Sequence, residues 1–269
     1  MIEIPIHKYL DSLPSNIKEI DISYRKLTAL PDLSRFTQLR LLVCRNNYIT
    51  ELPILPSSIK MIDCYGNKIT KILRFHKGLK KIDCGNNKLL YLPELNEELT
   101  ELYCGINLLT NLPKLNKKLQ VLSCYRNKLT QLPELNSELQ VLHCYHNKLT
   151  QIPQLNEELC DLDCSNNCLI HLPELNEKLE QLYSHNNEQL HYLLNIRVYQ
   201  LTSQQREFIN RVYKCRYRIM CLKYKKIFWD WLWKRVREPN IQRQYHPDEL
   251  LKRLKLVNHD DIDLIIDEW

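Results

Sequence analysis

The sequence has few glycines and no long apolar run, and both scarcities limit what the chain can be. Four glycines in 269 residues leave little material for a glycine-rich loop that cradles phosphate. The sequence contains no G-x-S-x-G nucleophile turn and no H-E-x-x-H helix. It also has no apolar stretch of roughly 18 residues, and its first residues lack a basic segment followed by an apolar one. We therefore expect a soluble, non-enzymatic chain without a standard secretion signal.

Cysteine is abundant, but its spacing does not suggest disulfide bonds. Seven of the eleven cysteines recur every 20 residues, at Cys44, Cys64, Cys84, Cys104, Cys124, Cys144 and Cys164. A strict period means that these residues are structurally equivalent rather than paired, and free cysteine is a common small core residue. Burial would also disfavour the thiolate that metals and oxidants require. We interpret this cysteine ladder as core packing and expect no metal or other cofactor.

The cysteines mark a repeat that covers most of the chain. Residues 99–118, LTELYCGINLLTNLPKLNKK, align without gaps on residues 119–138, LQVLSCYRNKLTQLPELNSE. The shared pattern is LxxLxCxxNxLxxLPxLxxx, with units that begin at Ile17, Leu39, Ile59, Leu79, Leu99, Leu119, Leu139, Leu159 and Leu179. This pattern resembles that of leucine-rich-repeat proteins, with Cys in place of the third strand Leu. A fixed period of this length predicts a solenoid.

Each part of the repeat predicts a local structure. The alternation in L-x-x-L-x-C predicts a short strand, and successive strands would form a parallel sheet. The following Asn, from Asn47 to Asn187, is expected to bond backbone groups that the turn leaves unpaired. Proline on the return segment, as at Pro93, favours an extended path over a helix. The predicted fold class is a leucine-rich-repeat solenoid with a parallel β-sheet on its concave side, an extended convex side and an α-helical C-terminal cap.

The predicted organisation has three parts: an N-terminal cap over residues 1–16, about nine repeats over residues 17–196, and a helical region over residues 197–269. The short repeat with LPxL resembles the repeats of secreted bacterial effectors, some of which are ubiquitin ligases with a separate helical catalytic domain. Neither Cys215 nor Cys221 stands in the Cys-x-Asp setting of those ligases. Ligase activity is therefore not expected, whereas a role as substrate adaptor for host ubiquitin machinery stays open by analogy.

A second resemblance concerns composition. The bias toward asparagine, lysine and tyrosine, with a tail that reads REPNIQRQYHPDELLKRL and then DDIDLIIDEW, resembles proteins of large DNA viruses that infect amoebae. This resemblance implies an intracellular protein made in the host cytoplasm. The ligand could then be a host protein.

Outward-facing positions of repeats five to nine vary while the repeat frame stays fixed. They are Tyr103, Tyr125, Arg126, His143, Tyr145, His146, Tyr183 and His185. Tyr and Arg are enriched among the residues that dominate protein–protein binding. We predict that these side chains bind a protein ligand on the concave face, and we expect no small-molecule substrate. A compatible alternative is that Tyr65, Tyr125 and Tyr145 stack as neighbours on the sheet.

Charge is uneven along the repeats. Residues 39–90 carry 10 basic and 3 acidic side chains, a net of +7, whereas residues 91–196 carry 7 and 14, a net of −7. Such a gradient would orient a charged partner and speed its association more than it would add affinity.

The sequence changes character after the repeats. Thr202-Ser203-Gln204-Gln205 resembles a capping box that opens a helix. Residues 197–237 carry 12 Lys or Arg against two acids, interleaved with aromatic residues. This basic helix could tether the chain to nucleic acid or to an anionic membrane. We favour a capping role, in which its apolar side covers the open edge of the last strand. That side consists of Phe208, Val212, Ile219 and Leu222.

Overall fold

The computed structural model describes residues 6–53, 55–188, 190, 197–198, 201–211 and 214. The chain divides into two compact units, Met1–Arg206 and Glu207–Trp269, and the repeats lie in the first. The first unit begins with a six-residue helix, α1 (Ile6–Asp11), whose Leu10 is buried. None of the helices that the structure describes has the length and apolarity that a membrane crossing requires.

The described strands of the first unit form a single sheet. Nine three-residue strands occur at the repeat spacing: β1 (Glu19–Asp21), β2 (Leu41–Val43), β3 (Met61–Asp63), β4 (Lys81–Asp83), β5 (Glu101–Tyr103), β6 (Val121–Ser123), β7 (Val141–His143), β8 (Asp161–Asp163) and β9 (Gln181–Tyr183). Each pairs in parallel with its sequence neighbours, in sequence order. The repeat region therefore forms the predicted solenoid.

The core is built from columns of equivalent residues. Each strand turns its middle residue inward, so that Leu102 is buried between the half-buried Glu101 and Tyr103. The repeat leucines and cysteines of successive units stack on one another, and the seven ladder cysteines are free and buried, as predicted. Stacking of neighbours buries a continuous core that a single repeat could not form.

The ladder asparagines bond backbone groups in the turn that follows each strand, as predicted. At Asn107, Nδ2 donates to the carbonyls of Cys84 (3.0 Å) and Cys104 (3.1 Å), while Oδ1 accepts the N–H of Leu89 (3.0 Å). The same three bonds recur in each repeat from Asn67 to Asn187. The residue before each ladder asparagine has a positive φ, which reaches 54° even at the β-branched Ile106. The side chains thus join adjacent repeats where the strands leave the sheet.

The far edge of the sheet is covered by a strand that the sequence did not reveal. Strand β10 (Arg197–Val198) pairs antiparallel with β9. Beyond it, the N–H of Leu201 donates to the carbonyl of Glu180 at 2.7 Å, and Nη2 of Arg206 donates to the carbonyl of Leu179 at 2.8 Å. These bonds satisfy backbone groups that an open edge would leave unpaired.

The predicted capping box is confirmed. The N–H of Thr202 donates to Oε1 of Gln205 at 3.0 Å, and the N–H of Gln205 donates to Oγ1 of Thr202 at 3.2 Å. Residues 203–211 are helical. Phe208, which was predicted to lie on the covering apolar side, is exposed, and its neighbour Ile209 is buried instead. Val212, Ile219 and Leu222 lie outside the described residues, as does most of the basic segment. The capping role of that segment therefore stays a prediction.

Candidate functional site

One face of the sheet points away from the core and is formed by three rows of side chains. Each row is numbered by its position counted from the first residue of the strand. The first row runs from Glu19 to Gln181 and the third row from Asp21 to Tyr183, both on the strands themselves. The remaining row, at the fifth position and therefore just beyond the strands, runs from Ser23 to His185. We call this surface the concave face. Neighbours within a row are about 4.8 Å apart, because they stand on adjacent strands.

The structure places six of the eight predicted residues in these rows. Tyr103, His143 and Tyr183 lie in the third row, and Tyr125, Tyr145 and His185 lie in the fifth. All six are half-buried. Arg126 and His146 instead occupy the left-handed turn that follows the fifth row, with φ values of 50° and 53°, and are exposed at its rim.

Two of the predicted tyrosines form a rigid pair. The rings of Tyr125 and Tyr145 stack with centroids 4.7 Å apart and planes 10° from parallel, which confirms the stacking alternative for this pair. Tyr65 instead lies beside Arg45. His146 contacts Tyr145 edge-on at 5.8 Å. A Cβ atom on Gly105 would lie 2.4 Å from Cε1 of Tyr125, so glycine at this position lets the ring lie flat on the sheet. Burial raises the pKa of both phenols.

His143 and Asp161 form a hydrogen-bonded pair beside this stack. Nε2 of His143 lies 3.0 Å from Oδ2 of Asp161. The hydrogen bond to this carboxylate raises the pKa of His143 against the opposing effect of burial. The other oxygen of Asp161, Oδ1, is buried without a hydrogen-bond partner.

A shallow pocket of about 420 Å³ opens at the C-terminal end of the concave face. Its walls include Tyr145, His146, Tyr183 and His185, and Asp163 lies among them. Oδ1 of Asp163 accepts the N–H of Ser165 at 3.1 Å and its hydroxyl at 2.6 Å. We call this the Asp163 pocket. It brings together four of the predicted residues.

Sequence reasoning missed a second cluster, over β2 to β5. Nε of Arg45 lies 2.5 Å from Oδ2 of Asp63, and its Nη2 lies 3.3 Å from Oδ2 of Asp83. The guanidinium carbon stands 5.7 Å from the ring centroid of Tyr65. Burial raises the pKa of Asp83. The strand register contained the signal, because the same three rows run through repeats two to four.

The second cluster continues toward β5 and borders an apolar patch. Nζ of Lys81 lies 2.6 Å from Oε2 of Glu101, which also accepts the hydroxyl of Tyr103 at 2.9 Å. Tyr103 therefore belongs to this cluster rather than to the C-terminal one. A cavity of about 380 Å³ exposes apolar side chains beside the charges; they are Leu41, Val43 and Met61.

The concave face is acidic, although the chain as a whole carries a net charge of +6. Its acidic residues are Glu19, Asp21, Asp63, Asp83, Glu101, Asp161 and Asp163. Against these seven, the three rows hold only two basic residues, Arg45 and Lys81, which leaves a net of −5. Both of these cations are already paired with acids of the same face. The charge gradient along the sequence is therefore not displayed on this face, where even repeats two to four are neutral.

The cysteine ladder has the chemistry of a core rather than of a reactive site. Burial raises the pKa of the Cys44 thiol to about 12 and that of Cys124 to about 12. A thiol so far from ionisation is a poor nucleophile and a poor metal ligand. The described residues contain no group of three or more His, Cys, Asp or Glu side chains that could hold a metal ion.

The structure is similar to bacterial leucine-rich-repeat effectors. YopM from Yersinia enterocolitica WA-314 is 31% identical, with a TM-score of 0.63 over 66% of this chain and 39% of that chain. YopM from Yersinia pestis, a leucine-rich effector protein, is 32% identical, with a TM-score of 0.61 over 63% of this chain and 49% of that one. A Shigella effector LRR domain is 27% identical, with a TM-score of 0.56 over 62% of this chain and 80% of the domain.

These similarities confirm the repeat solenoid and the resemblance to bacterial effector repeats. The chain spans 39% and 49% of the lengths of the two YopM chains, so their whole-protein properties do not transfer as findings. No family model matches the chain, and no curated protein matches it. The resemblance to viral proteins stays a prediction.

Proposed function

We propose that the chain is a non-enzymatic protein-interaction module that binds a protein ligand on its concave face. The observation that carries this proposal is the stacked pair of Tyr125 and Tyr145, half-buried on a sheet whose frame repeats without change. Tyrosine combines a large apolar ring with a polar tip and is enriched among binding hot spots. The similarity to effector repeats supports the same function.

The dimensions of the face suit a protein better than a small molecule. Nine strands spaced about 4.8 Å apart span roughly 38 Å. A stable protein interface covers about 800 Å² on each partner, and a strip of this length and three rows in width approaches that area. The two concave pockets are shallow depressions on this strip, so they would receive side chains of a larger ligand.

The proposed mechanism is recognition by a rigid surface. Stacking on Tyr125 restricts Tyr145 before any ligand arrives, and the bond to Asp161 restricts His143 in the same way. Side chains that are already ordered lose less conformational entropy on binding. The proposed partner is a host protein inside the cell, in agreement with the viral resemblance and the expected cytoplasmic location.

A capture experiment with matched tyrosine variants tests the proposal. The full chain serves as bait in cell extract, compared with the double variant Tyr125→Ala/Tyr145→Ala and with Tyr91→Ala. Tyr91 is a suitable control because it is 47% exposed and lies on the return segment. We expect Tyr91→Ala to retain the captured protein and the double variant to lose it by at least about tenfold, as for a hot-spot pair.

The same experiment separates this function from the two alternatives. Tethering by the basic residues 203–237 predicts capture that disappears with high salt or nuclease and is unaffected by the double variant. An adaptor for ubiquitin machinery would capture ligase components along with the concave-face ligand. Retention of the ligand by the double variant would refute the concave-face proposal.

A further inference from the structure

The concave face binds one of its own arginines, and that contact shows what kind of group its surface accepts. Arg45 is held by the Oδ2 atoms of Asp63 and Asp83 and lies over the ring of Tyr65. The other carboxylate oxygens are used by the fold, since Oδ1 of Asp83 accepts the N–H of Gly85 at 3.0 Å. A third-row aspartate thus turns one oxygen to its own backbone and leaves the other for a cation.

The same constellation recurs four repeats later without the cation. A shift of 80 residues carries Asp83 to Asp163, and it also carries two tyrosines onto tyrosines, Tyr65 onto Tyr145 and Tyr103 onto Tyr183. The strand register is equivalent, because Asp83 pairs with Tyr103 and Asp163 pairs with Tyr183. Arg45, in contrast, is replaced by Tyr125.

The charges around the Asp163 pocket are accordingly unbalanced. Asp161 and Asp163 stand on one strand, in the first and third rows. Among the described residues no Lys or Arg forms an ion pair with either of them; His143 bonds to Asp161 and stands opposite Asp163 on the neighbouring strand. The whole face carries an excess of negative charge, with its two cations already paired. A cationic group of a ligand would find in Asp163 a carboxylate that no Lys or Arg of the described residues pairs with, in a pocket also lined by Tyr145 and Tyr183.

We propose that the Asp163 pocket receives an arginine side chain of the protein ligand, with its guanidinium between the ring of Tyr145 and Oδ2 of Asp163. A guanidinium fits this arrangement because it is planar, stacks on aromatic rings and donates parallel hydrogen bonds to a carboxylate. The volume of about 420 Å³ accommodates the side chain. This inference rests on the proposed function and adds the chemistry of the ligand: a segment that presents arginine to the C-terminal repeats.

The test measures binding of a defined probe to the full chain. The probe is a fluorescein-labelled peptide, Gly-Arg-Ser-Arg-Ser-Arg-Gly, and its control replaces each arginine by citrulline, which has nearly the same shape without the charge. Fluorescence anisotropy in about 50 mM salt keeps electrostatic screening low. We expect the arginine probe to bind at least about tenfold more tightly than the citrulline probe.

Two conservative variants locate the binding. Asp163→Asn keeps an oxygen that can accept the N–H of Ser165 and removes only the charge. Asp83→Asn removes the same charge from a carboxylate that already holds Arg45. We expect Asp163→Asn to weaken the arginine probe about tenfold, to the level of the citrulline probe, and Asp83→Asn to change it less than about twofold.

Thermal unfolding verifies that each variant is folded. Tyr145→Leu takes the place of Asp163→Asn if the latter does not fold, with a loss of several-fold expected from removal of the aromatic wall. Equal affinity for the two probes, no effect of Asp163→Asn, or an equal effect of Asp83→Asn would each overturn the inference. Such a result would leave the proposed function standing, because capture through Tyr125 and Tyr145 is measured without any assumption about arginine.

Discussion

Replacing Asn107 by Ala should destabilise the solenoid by about 3 kcal/mol. Asn107 is 7% exposed, and its Oδ1 is the acceptor for the N–H of Leu89. The carbonyls of Cys84 and Cys104 each keep a second donor, from Asn87 and Asn127. The variant therefore leaves one buried N–H without a partner, at about 1–3 kcal/mol. It also removes the two hydrogens of Nδ2, shared among the carbonyls of Cys84, Cys104 and Gly105, at about 0.5–1.5 kcal/mol each.

Urea unfolding followed by far-ultraviolet circular dichroism measures this loss. Asn111→Ala is the matched control, because Asn111 is exposed and its amide contacts only Thr110 at 3.5 Å. That control should stay within about 0.5 kcal/mol of the parent. The slope of the transition shows whether the repeats still unfold as one unit. A loss below about 1 kcal/mol for Asn107→Ala would refute the view that the ladder joins the repeats.

Three further predictions concern strain, pH and thiol reactivity. Ile106→Asn should stabilise the chain by about 1 kcal/mol, because asparagine tolerates the positive φ of 54° better than a β-branched residue. The melting temperature should therefore rise, and a lower melting temperature would contradict this. The raised pKa of His143 means that its pair contributes stability fully below the ordinary pKa, and that this contribution is lost as pH rises through the raised pKa. His143→Gln should remove that part of the pH dependence of the urea midpoint, and an unchanged pH profile would count against the ion pair. Under native conditions, alkylation mapped by mass spectrometry should modify the exposed Cys168 and spare the buried Cys124; modification of Cys124 without unfolding would show that the ladder is accessible.

The repeat frame was predictable because it depends on local, periodic physics. Cys104 and Asn107 recur at one spacing, and only stacked strands give every copy the same environment. The capping box at Thr202 was predictable for the same reason, since its two hydrogen bonds connect residues three positions apart. Strand β10 escaped prediction because Arg197 and Val198 have no repeat register and pair only through the edge that β9 offers.

The candidate site was predicted in part, and its gaps have a physical cause. Tyr125 and Tyr145 were found because aromatic residues stand out in the repeat alignment. The Arg45 cluster was missed because it depends on which charged side chains lie opposite one another on neighbouring strands. The net charge of a sequence segment contains no information about these cross-strand neighbours. The sequence showed a basic stretch over residues 39–90, whereas the concave rows of the same repeats pair Arg45 with Asp63 and Asp83.

Site-specific photo-crosslinking reports which face of the solenoid contacts a protein ligand. A benzophenone amino acid placed at Tyr103, Tyr145 or Tyr183 samples the concave face, and the same group at Tyr91 samples the return segment. The full chain is irradiated in cell extract, and adducts are identified by mass spectrometry. We expect one protein adduct that is shared by the concave positions and absent at position 91. Adducts of equal yield at position 91, or none at the concave positions, would contradict it.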